Sequence, residues 1–507
     1  MTNADRIALI ISVVAILVTF LISASIFENI PHIEDEVAYV WQAQAISKGY
    51  LTLPSPPNPD NFLVPFVVDL DGQRFGKYPL GWPVLLAVGV RFGLRQLVNP
   101  LLAGLGIWLT YRLGKKVFGE TVGLLAAGLT LTSPFFLMNS GTLLSHPFGL
   151  VLSAAFALAW LDAFGDNTYS QRKLPLIVAA LSLGVLALSR PYTAIAVALP
   201  FGLHGIYLLL RGNWQTRRQV VAVGAASALV AGLYFLWQYA VTADPLTSPY
   251  TLWWPYDKVG FGSGYGVTES GHNLRLARIN TKFSLWVGWR DLFGWPGFSW
   301  VFLPFGMVAV IIRRNWQGFL VGSVYASLVL VYLAYWVGAW LFGPRYYYEG
   351  LYSLTLLSSA GIAMLAGWPI YPSERWQRYS SWQRLRPLAV SAIVLLLVAM
   401  NLLFYTPARL SGMYGLHGME RADLKPFQSE QAQALTPALV IVYPDIWMDY
   451  AVLLELADPF LDTPFIFVHH RGLNADTELA EVFAERNVFH YYPDEPYKLY
   501  TGPRPDR

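Results

Sequence analysis

The chain has 507 residues, of which 55% are hydrophobic, 15% aromatic and only 13% charged. Soluble domains usually carry about 25% charged residues, so this composition argues against an ordinary soluble protein and indicates that lipid covers much of the surface. The formal net charge of +3 is too small to indicate a nucleic-acid partner. Because the sequence contains no cysteine, disulfides, thiolate metal sites and cysteine nucleophiles are excluded.

The first apolar run extends from Ile7 to Phe27. A cleaved secretory signal is one interpretation, since Ser23-Ala24-Ser25 offers small residues. The run is longer than the roughly 7–15 apolar residues of such a signal, which favours a retained first membrane span.

Apolar runs of about 20 residues predict spanning helices. They fall at 7–27, 97–112, 121–138, 148–164, 174–189, 193–210, 220–240, 297–312, 317–338, 350–368 and 387–405. With the N-terminus in the cytoplasm, the inner connections carry Arg112, Lys115, Lys116, Arg172, Lys173, Arg211, Arg217, Arg218, Arg313, Arg314, Arg375, Arg378, Arg384 and Arg386. The short outer connections carry only Arg190 and Arg345, which is the expected charge bias.

The predicted fold is therefore an α-helical polytopic membrane domain over 1–405 with about 11 spans. Its long outer segments are 28–96 and 241–296. The inner connections are too short to fold a nucleotide-binding domain, so a cytoplasmic nucleotide substrate is not expected. Any site is expected outside the cytoplasm.

The tail over 406–507 changes character. Short apolar runs at 438–443, 464–468 and 488–492 predict strands, and helices are predicted at 446–457 and 474–486. This alternation predicts a small extracytoplasmic α/β domain.

Three acidic residues, Glu34, Asp35 and Glu36, begin a predicted surface helix that ends at Gly49. Carboxylates at a helix N-terminus gain about 0.3–1 kcal/mol from the helix dipole, so helix capping is one interpretation. A carboxylate at the membrane surface can also act as a general base toward a hydroxyl. Both interpretations stay open for Asp35 and Glu36 on these residues alone.

Lys77, His146, Arg190 and Arg345 are predicted at the same outer face. A phosphate leaving group needs cations, for which Lys77, Arg190 and Arg345 are the candidates, and His146 is a further polar group on that face. Lysine and arginine side chains also reach toward lipid headgroups without any further role. Arginines in short outer connections run against the usual charge bias, which favours binding for Arg190 and Arg345.

Aromatic residues crowd the second long outer segment, where interface packing and sugar stacking are both possible. They are Tyr250, Trp253, Trp254, Tyr256, Trp286, Trp289, Trp295 and Trp300. His272 lies among them as a further candidate for substrate binding. No ligand spacing supports a metal site built from His146, His272 and an acid, and no cofactor is indicated.

Four short motifs resemble the GT-C superfamily, in its branch of protein mannosyltransferases and aminoarabinose transferases. They are Asp35-Glu36, Lys77-Tyr78-Pro79-Leu80-Gly81, the inner turn Tyr111 to Gly119, and Arg345-Tyr346. The likeness extends over roughly residues 1–370.

The resemblance implies that Asp35 is the general base and that Glu36 supports it or orients the acceptor. It implies that Lys77 and Arg345 hold a lipid phosphate, with Tyr346 beside them, and that the anomeric carbon is inverted. Ser145-His146 stands where the resemblance calls for an acid. The segment Asp244 to Pro296 matches no element of the family.

The sequence thus predicts a cell-envelope hexosyl- or pentosyltransferase that uses a polyprenyl-phosphate sugar donor. The acceptor is a lipid, a glycan or a protein. The alternatives are a transporter or flippase of lipid-linked sugars and a non-catalytic envelope scaffold. A transporter usually shows internal repeats and ionisable residues within its spans, and neither is visible in the sequence.

Overall fold

The computed structural model describes residues 1–165, 173–295, 297–372, 374 and 385–505. Four of the predicted inner cations, Arg172, Arg375, Arg378 and Arg384, lie outside these residues.

The helices before the tail are α1 (Asn3–Ser25), α2 (Glu34–Ser47), α3 (Gly81–Arg91), α4 (Val98–Phe118), α5 (Glu120–Leu131), α6 (Pro134–Gly141), α7 (His146–Phe164), α8 (Lys173–Ser189), α9 (Pro191–Arg211), α10 (Trp214–Thr242), α11 (Pro249–Trp253), α12 (Leu274–Asp291), α13 (Leu303–Ile312), α14 (Trp316–Tyr332), α15 (Leu351–Ala366) and α16 (Leu385–Met400). The tail contains α17 (Thr406–Ser411), α18 (Lys425–Gln428), α19 (Glu430–Gln433), α20 (Trp447–Ala451) and α21 (Leu473–Val482). The strands are β1 (Leu53–Pro54), β2 (Val67–Leu70), β3 (Gln73–Gly76), β4 (Ala438–Val442), β5 (Phe465–His469), β6 (Asn487–Tyr491) and β7 (Leu499–Tyr500).

Each predicted span coincides with a helix or a helix pair of the described chain. By length and apolar composition, six of the described helices can cross a membrane, or seven when the bent pair α5 and α6 is one span. The total of eleven spans stays a prediction, because α8, α13 and α14 are shorter apolar helices and α4 is not among the helices that meet both criteria. Helix α13 begins at Leu303, later than predicted, and Pro304 occupies its first turn, where proline is favoured.

The outer surfaces of several helices are apolar. Leu229 and Leu236 on α10 are 77% and 64% exposed, and Leu395 on α16 is 68% exposed. Apolar side chains in such numbers are stable on a surface only when lipid or another protein covers them. These faces accord with helices that stand in a bilayer.

Small residues allow the helices to pack closely. A Cβ atom on Gly306 of α13 would lie 1.8 Å from the carbonyl oxygen of Leu357, and one on Gly361 of α15 would lie 2.1 Å from the carbonyl oxygen of Phe302. Helices in membranes associate through such small-residue contacts, because lipid provides no hydrophobic drive between them. Alanine at either position would force α13 and α15 apart.

The first outer segment combines helix α2, a three-stranded antiparallel sheet and helix α3. The strand order is β1-β3-β2, with Val67 of β2 opposite Gly76 of β3. Lys77 follows β3 directly, so the hairpin sets its position. Helix α2 packs on α3.

The tail forms the predicted α/β layer. Its sheet has the order β5-β4-β6-β7, with β4 parallel to both β5 and β6 and β7 antiparallel to β6. The predicted helix 446–457 is α20 followed by the 3₁₀ helix Val452–Leu456, and the predicted helix 474–486 ends earlier, at Val482.

The tail packs against the first outer segment. Arg95 donates to Glu455 at 2.7 Å, and the Asn61 amide donates to the carbonyl of His469 at 2.9 Å. Val37 and Trp41 of α2 form an apolar cluster with Leu454. Since α2 carries Asp35 in its first turn, the tail braces the helix that presents this carboxylate.

Candidate active site

A cavity of about 730 Å³ lies where the predicted outer ends of the helices meet. This volume is in the range of sites that bury small ligands, about 300–1,000 Å³. Its polar and charged lining comes from several separate parts of the described chain and includes Asp35, Lys77, His146, Arg190 and Arg345. The fold therefore collects six of the predicted site residues, these five and Tyr346, around one space.

Asp35 stands in the first turn of α2 and its side chain is 24% exposed. The Tyr78 hydroxyl donates to Oδ1 at 2.5 Å, and Arg345 Nη2 donates to Oδ2 at 3.2 Å. Burial raises the pKa of Asp35, but the charge of Arg345, the hydrogen bond from Tyr78 and the charge of Lys77 together lower it by more. The pKa of Asp35 therefore lies below its usual value. Asp35 is therefore ionised at neutral pH.

Glu36 points away from the cavity and is 1% exposed. Its Oε2 accepts the backbone N–H of His32 at 2.9 Å, and its Oε1 accepts that of Leu143 at 2.6 Å. It ties the start of α2 to the turn before α7. Glu36 therefore positions the start of α2, and the roles predicted for it in the reaction stay predictions.

We expect Glu36→Gln to lower the free energy of unfolding by about 1–3 kcal/mol, because the amide nitrogen cannot accept and one backbone N–H loses its partner. Burial raises the pKa of Glu36 from 4.5 to about 7, so the folded chain binds this proton more tightly than the unfolded chain. The stability from this group is thus present below about 4.5 and is lost as the pH rises through about 7.

Thermal unfolding in detergent across that pH interval measures both effects. The fall in unfolding temperature with rising pH should disappear in Glu36→Gln and persist in Glu481→Gln, which changes an exposed glutamate of α21. A pH slope that survives in Glu36→Gln would show that another group causes it.

Lys77 lies in an aromatic enclosure beside a carboxylate. Its Nζ is 3.3 Å from Oδ2 of Asp257 and 3.7 Å from the ring centre of Phe66, with Trp254 at 4.7 Å. Burial lowers the pKa of Lys77, and Asp257 and Asp35 offset part of this. Oδ1 of Asp257 accepts from the Tyr335 hydroxyl at 3.0 Å and from Trp336 Nε1 at 3.1 Å, so Oδ2 is the atom left to Lys77.

Arg190 and His146 share one buried acid. Arg190 Nε lies 2.9 Å from Oε1 of Glu349, and His146 Nδ1 lies 3.2 Å from the same oxygen. Arg190 Nη1 also donates to the Ser145 hydroxyl at 3.1 Å. Both residues line the cavity, whereas Glu349 lies behind them and is fully buried.

Tyr346 lines the cavity and stacks on Tyr332 at 5.0 Å between ring centres. His272, the last predicted site residue, is not among the lining residues. Its Nε2 lies 2.9 Å from the carbonyl of Leu333, and its ring stacks on Phe261 at 5.1 Å. His272 thus holds the second outer segment against the end of α14.

Solved structures share this architecture. ArnT from Cupriavidus metallidurans bound to undecaprenyl phosphate superposes with a TM-score of 0.58 at 14% identity, over 96% of this chain and 90% of that one. The apo state of the same protein superposes with a TM-score of 0.58 at 15% identity, over 94% of this chain and 88% of that one. The oligosaccharyltransferase AglB from Archaeoglobus fulgidus, in complex with an inhibitory peptide and a dolichol-phosphate, superposes with a TM-score of 0.54 at 12% identity. The superposition covers 90% of this chain and 64% of that one.

The chain has the GT-C fold. Together with its apolar helices, this fold makes it a multi-pass membrane protein. No protein-family profile and no curated protein matches the sequence, so the likeness rests on three-dimensional structure.

Two carboxylates at the site of this GT-C fold, Asp257 and Glu349, were not predicted. Asp257 lies in the segment that matched no family element, and Glu349 stands just before α15 in the run Arg345–Gly350, a 3₁₀ helix. A signal was available for Glu349, because an acid at the start of a predicted span is costly to bury and needs a partner.

Two of the crowded aromatic residues, Tyr250 and Trp254, line the cavity. Trp286 and Trp289 are 51% and 39% exposed, as expected for interface packing, and Trp295 is buried at 1%. The cluster is therefore divided between the cavity wall, the exposed surface and the buried core, and both predicted roles stay predictions. Within the described residues, no group of three or more histidines and acids is placed to hold a metal ion.

Proposed function

We propose that this protein is a membrane glycosyltransferase that moves a sugar from a polyprenyl-phosphate donor to an acceptor hydroxyl. The observation that carries the proposal is the meeting of ionised Asp35 with Lys77 and Arg345 in one cavity. A carboxylate that stays ionised is a proton acceptor, and the neighbouring cations can receive an anionic leaving group.

In the proposed reaction, Asp35 takes the proton of the acceptor hydroxyl as the acceptor oxygen bonds to the anomeric carbon. The bond between that carbon and the phosphate oxygen breaks, and its electron pair leaves with the polyprenyl phosphate. Lys77 and Arg345 stabilise the phosphate as its charge grows. Attack opposite to the leaving group inverts the anomeric carbon.

Two solved structures of this fold support a lipid-phosphate donor, since ArnT is bound to undecaprenyl phosphate and AglB to a dolichol-phosphate. In this chain the same class of ligand would place its phosphate between Lys77 and Arg345. Both side chains approach Asp35 from the cavity wall, Arg345 at 3.2 Å from the carboxylate.

We infer that the reaction takes place at the extracytoplasmic face. The cavity lining comes from segments that the charge bias assigns to the outside, including the first outer segment and the short connections at Arg190 and Arg345. The N-terminus then lies in the cytoplasm, and the tail domain lies outside with the cavity.

Transfer from a panel of radiolabelled undecaprenyl-phosphate hexoses and pentoses tests the proposal, with purified protein and native membrane acceptors. Label that moves into an acceptor supports it and identifies the sugar. Label that crosses a liposome bilayer with the donor intact would identify a lipid-sugar flippase and overturn the proposal. If the protein shows neither sugar transfer nor translocation of the donor, the proposal is overturned and the non-catalytic scaffold is the interpretation that stays.

A further inference from the structure

Glu349 is a buried acid beside the cavity that the proposed reaction does not use. It is 0% exposed, and its Oε1 contacts both Arg190 Nε at 2.9 Å and His146 Nδ1 at 3.2 Å. Space for it is left by Gly149 on α7, since a Cβ there would lie 2.7 Å from Glu349 Cγ and Oε1. The packing therefore holds this carboxylate at one place.

The shared carboxylate fixes the hydrogen positions on His146. Arg190 already balances the single negative charge of Glu349, so a positively charged imidazole would leave one buried cation without a partner. A neutral imidazole facing a carboxylate through Nδ1 must carry its proton there. Its Nε2 is then a hydrogen-bond acceptor.

Nε2 of His146 has no hydrogen-bond partner in the part of the chain that the structure describes, and His146 lines the cavity. An acceptor nitrogen repels phosphate oxygens, which offer only lone pairs. It attracts a hydroxyl hydrogen. This separates His146 from Lys77 and Arg345, which suit the phosphate.

We propose that the pair His146 and Glu349 recognises a sugar hydroxyl and sets the sugar specificity of the site. This inference rests on the proposed function and deepens it. His146 Nε2 accepts the hydroxyl, and Glu349 is a positioning residue that fixes the imidazole. Sugars that lack this hydroxyl leave a buried acceptor unpaired and are discriminated against.

The same network links His146 to the base. Arg190 donates to the Ser145 hydroxyl at 3.1 Å, and that hydroxyl lies 3.2 Å from the hydroxyl of Tyr39. Tyr39 packs on Tyr78 with 4.4 Å between ring centres, and Tyr78 donates to Asp35. These contacts therefore fix the position of the proposed hydroxyl site at His146 relative to the carboxylate of Asp35.

Binding and transfer of undecaprenyl-phosphate sugars and their monodeoxy counterparts test the inference. We expect wild type to disfavour one deoxy position by roughly 10- to 100-fold, and His146→Phe to lose that ratio. Gly149→Ala, which displaces Glu349, should reduce the ratio. Gly202→Ala should keep it, because a Cβ on this glycine of α9 meets nothing within 4 Å.

A purely structural role would lower activity with both sugars equally and leave their ratio unchanged. If the protein binds the parent donor more tightly than the deoxy donor in the absence of acceptor, the recognised hydroxyl belongs to the donor sugar. If it distinguishes only parent from deoxy acceptors, and only in transfer, the hydroxyl belongs to a glycan acceptor. Equal use of all deoxy sugars by wild type, or an unchanged ratio in His146→Phe, overturns the inference. Absence of transfer overturns the proposed function instead, while the binding ratios still decide the role of the pair.

Discussion

Replacing Asp35 by Asn is expected to reduce sugar transfer by about 10²- to 10⁴-fold, the usual contribution of a positioned general base. Asparagine keeps an oxygen for Arg345, and the Tyr78 hydroxyl can turn to accept from the new amide, so the surroundings need not change. What is lost is the ionised oxygen that takes the proton of the acceptor. The loss should therefore appear in kcat rather than in donor binding.

Asp71→Asn is the control for this change. Asp71 is an exposed aspartate in the turn of the same outer hairpin, where its φ of 49° is tolerated by Asn as well as by Asp. Transfer should remain at the wild-type rate in this variant. Full activity in Asp35→Asn with an unchanged unfolding temperature would show that Asp35 is not the base.

Lys77→Met should weaken binding of undecaprenyl phosphate by roughly 10- to 100-fold, because a hydrogen bond to a charged group contributes about 1.5–3 kcal/mol. The methionine keeps apolar contact with Phe66 and Trp254 but brings no charge to the phosphate. Binding of the radiolabelled lipid to purified protein measures the change. Lys282→Met, which alters an exposed lysine of α12, should bind as wild type does.

Asp257→Asn should have the opposite effect and strengthen the binding of undecaprenyl phosphate. The two donors Tyr335 and Trp336 both contact Oδ1, which asparagine retains, so only the oxygen that faces Lys77 is exchanged. Without that competing charge, the ammonium is released to the phosphate. Affinity that falls in this variant would contradict the assignment of Lys77 as a phosphate ligand.

The double variant Lys77→Met with Asp257→Asn separates charge from folding. Lys77→Met alone leaves a buried carboxylate, with 3% of the Asp257 side chain exposed, which is costly. The double variant removes that cost and should regain stability but not lipid binding. Recovery of binding would show that the single variant acted through misfolding.

The sequence predicted Asp35, Lys77 and Arg345 on one outer face, and in the structure all three line one cavity. Charge bias placed all three on one side of the membrane, and helices of similar length bring such ends together. The tail strands were also predictable, since each is a short apolar run between turn residues. The local sequence pattern is therefore sufficient to predict the side of the membrane on which a segment lies and the positions of the tail strands.

The partners of these residues could not be predicted in the same way. Asp257 reaches Lys77, and Glu349 reaches His146, across 180 and 203 positions of sequence. Such contacts depend on how the helices pack, which no local pattern records. His272 was included among the site residues for its type and segment, and the packing at the end of α14 places it outside the cavity lining.

The turn Ser145-His146 shows how structure changes the interpretation of a departure from a motif. The resemblance calls for an acid there, and the sequence offers a histidine. In the folded chain a carboxylate reaches that turn from Glu349, 3.2 Å from the imidazole. The polar character of the site is thus assembled from two elements rather than one.

The most direct measurement of the central claim follows both halves of a doubly labelled undecaprenyl-phosphate sugar during a single reaction. We predict that free undecaprenyl phosphate and glycosylated acceptor appear in equal amounts in wild type, and that both fall together by about 10²- to 10⁴-fold in Asp35→Asn. Sugar that reaches an acceptor without release of undecaprenyl phosphate, or equal release by both proteins, would contradict transfer from a lipid phosphate by Asp35.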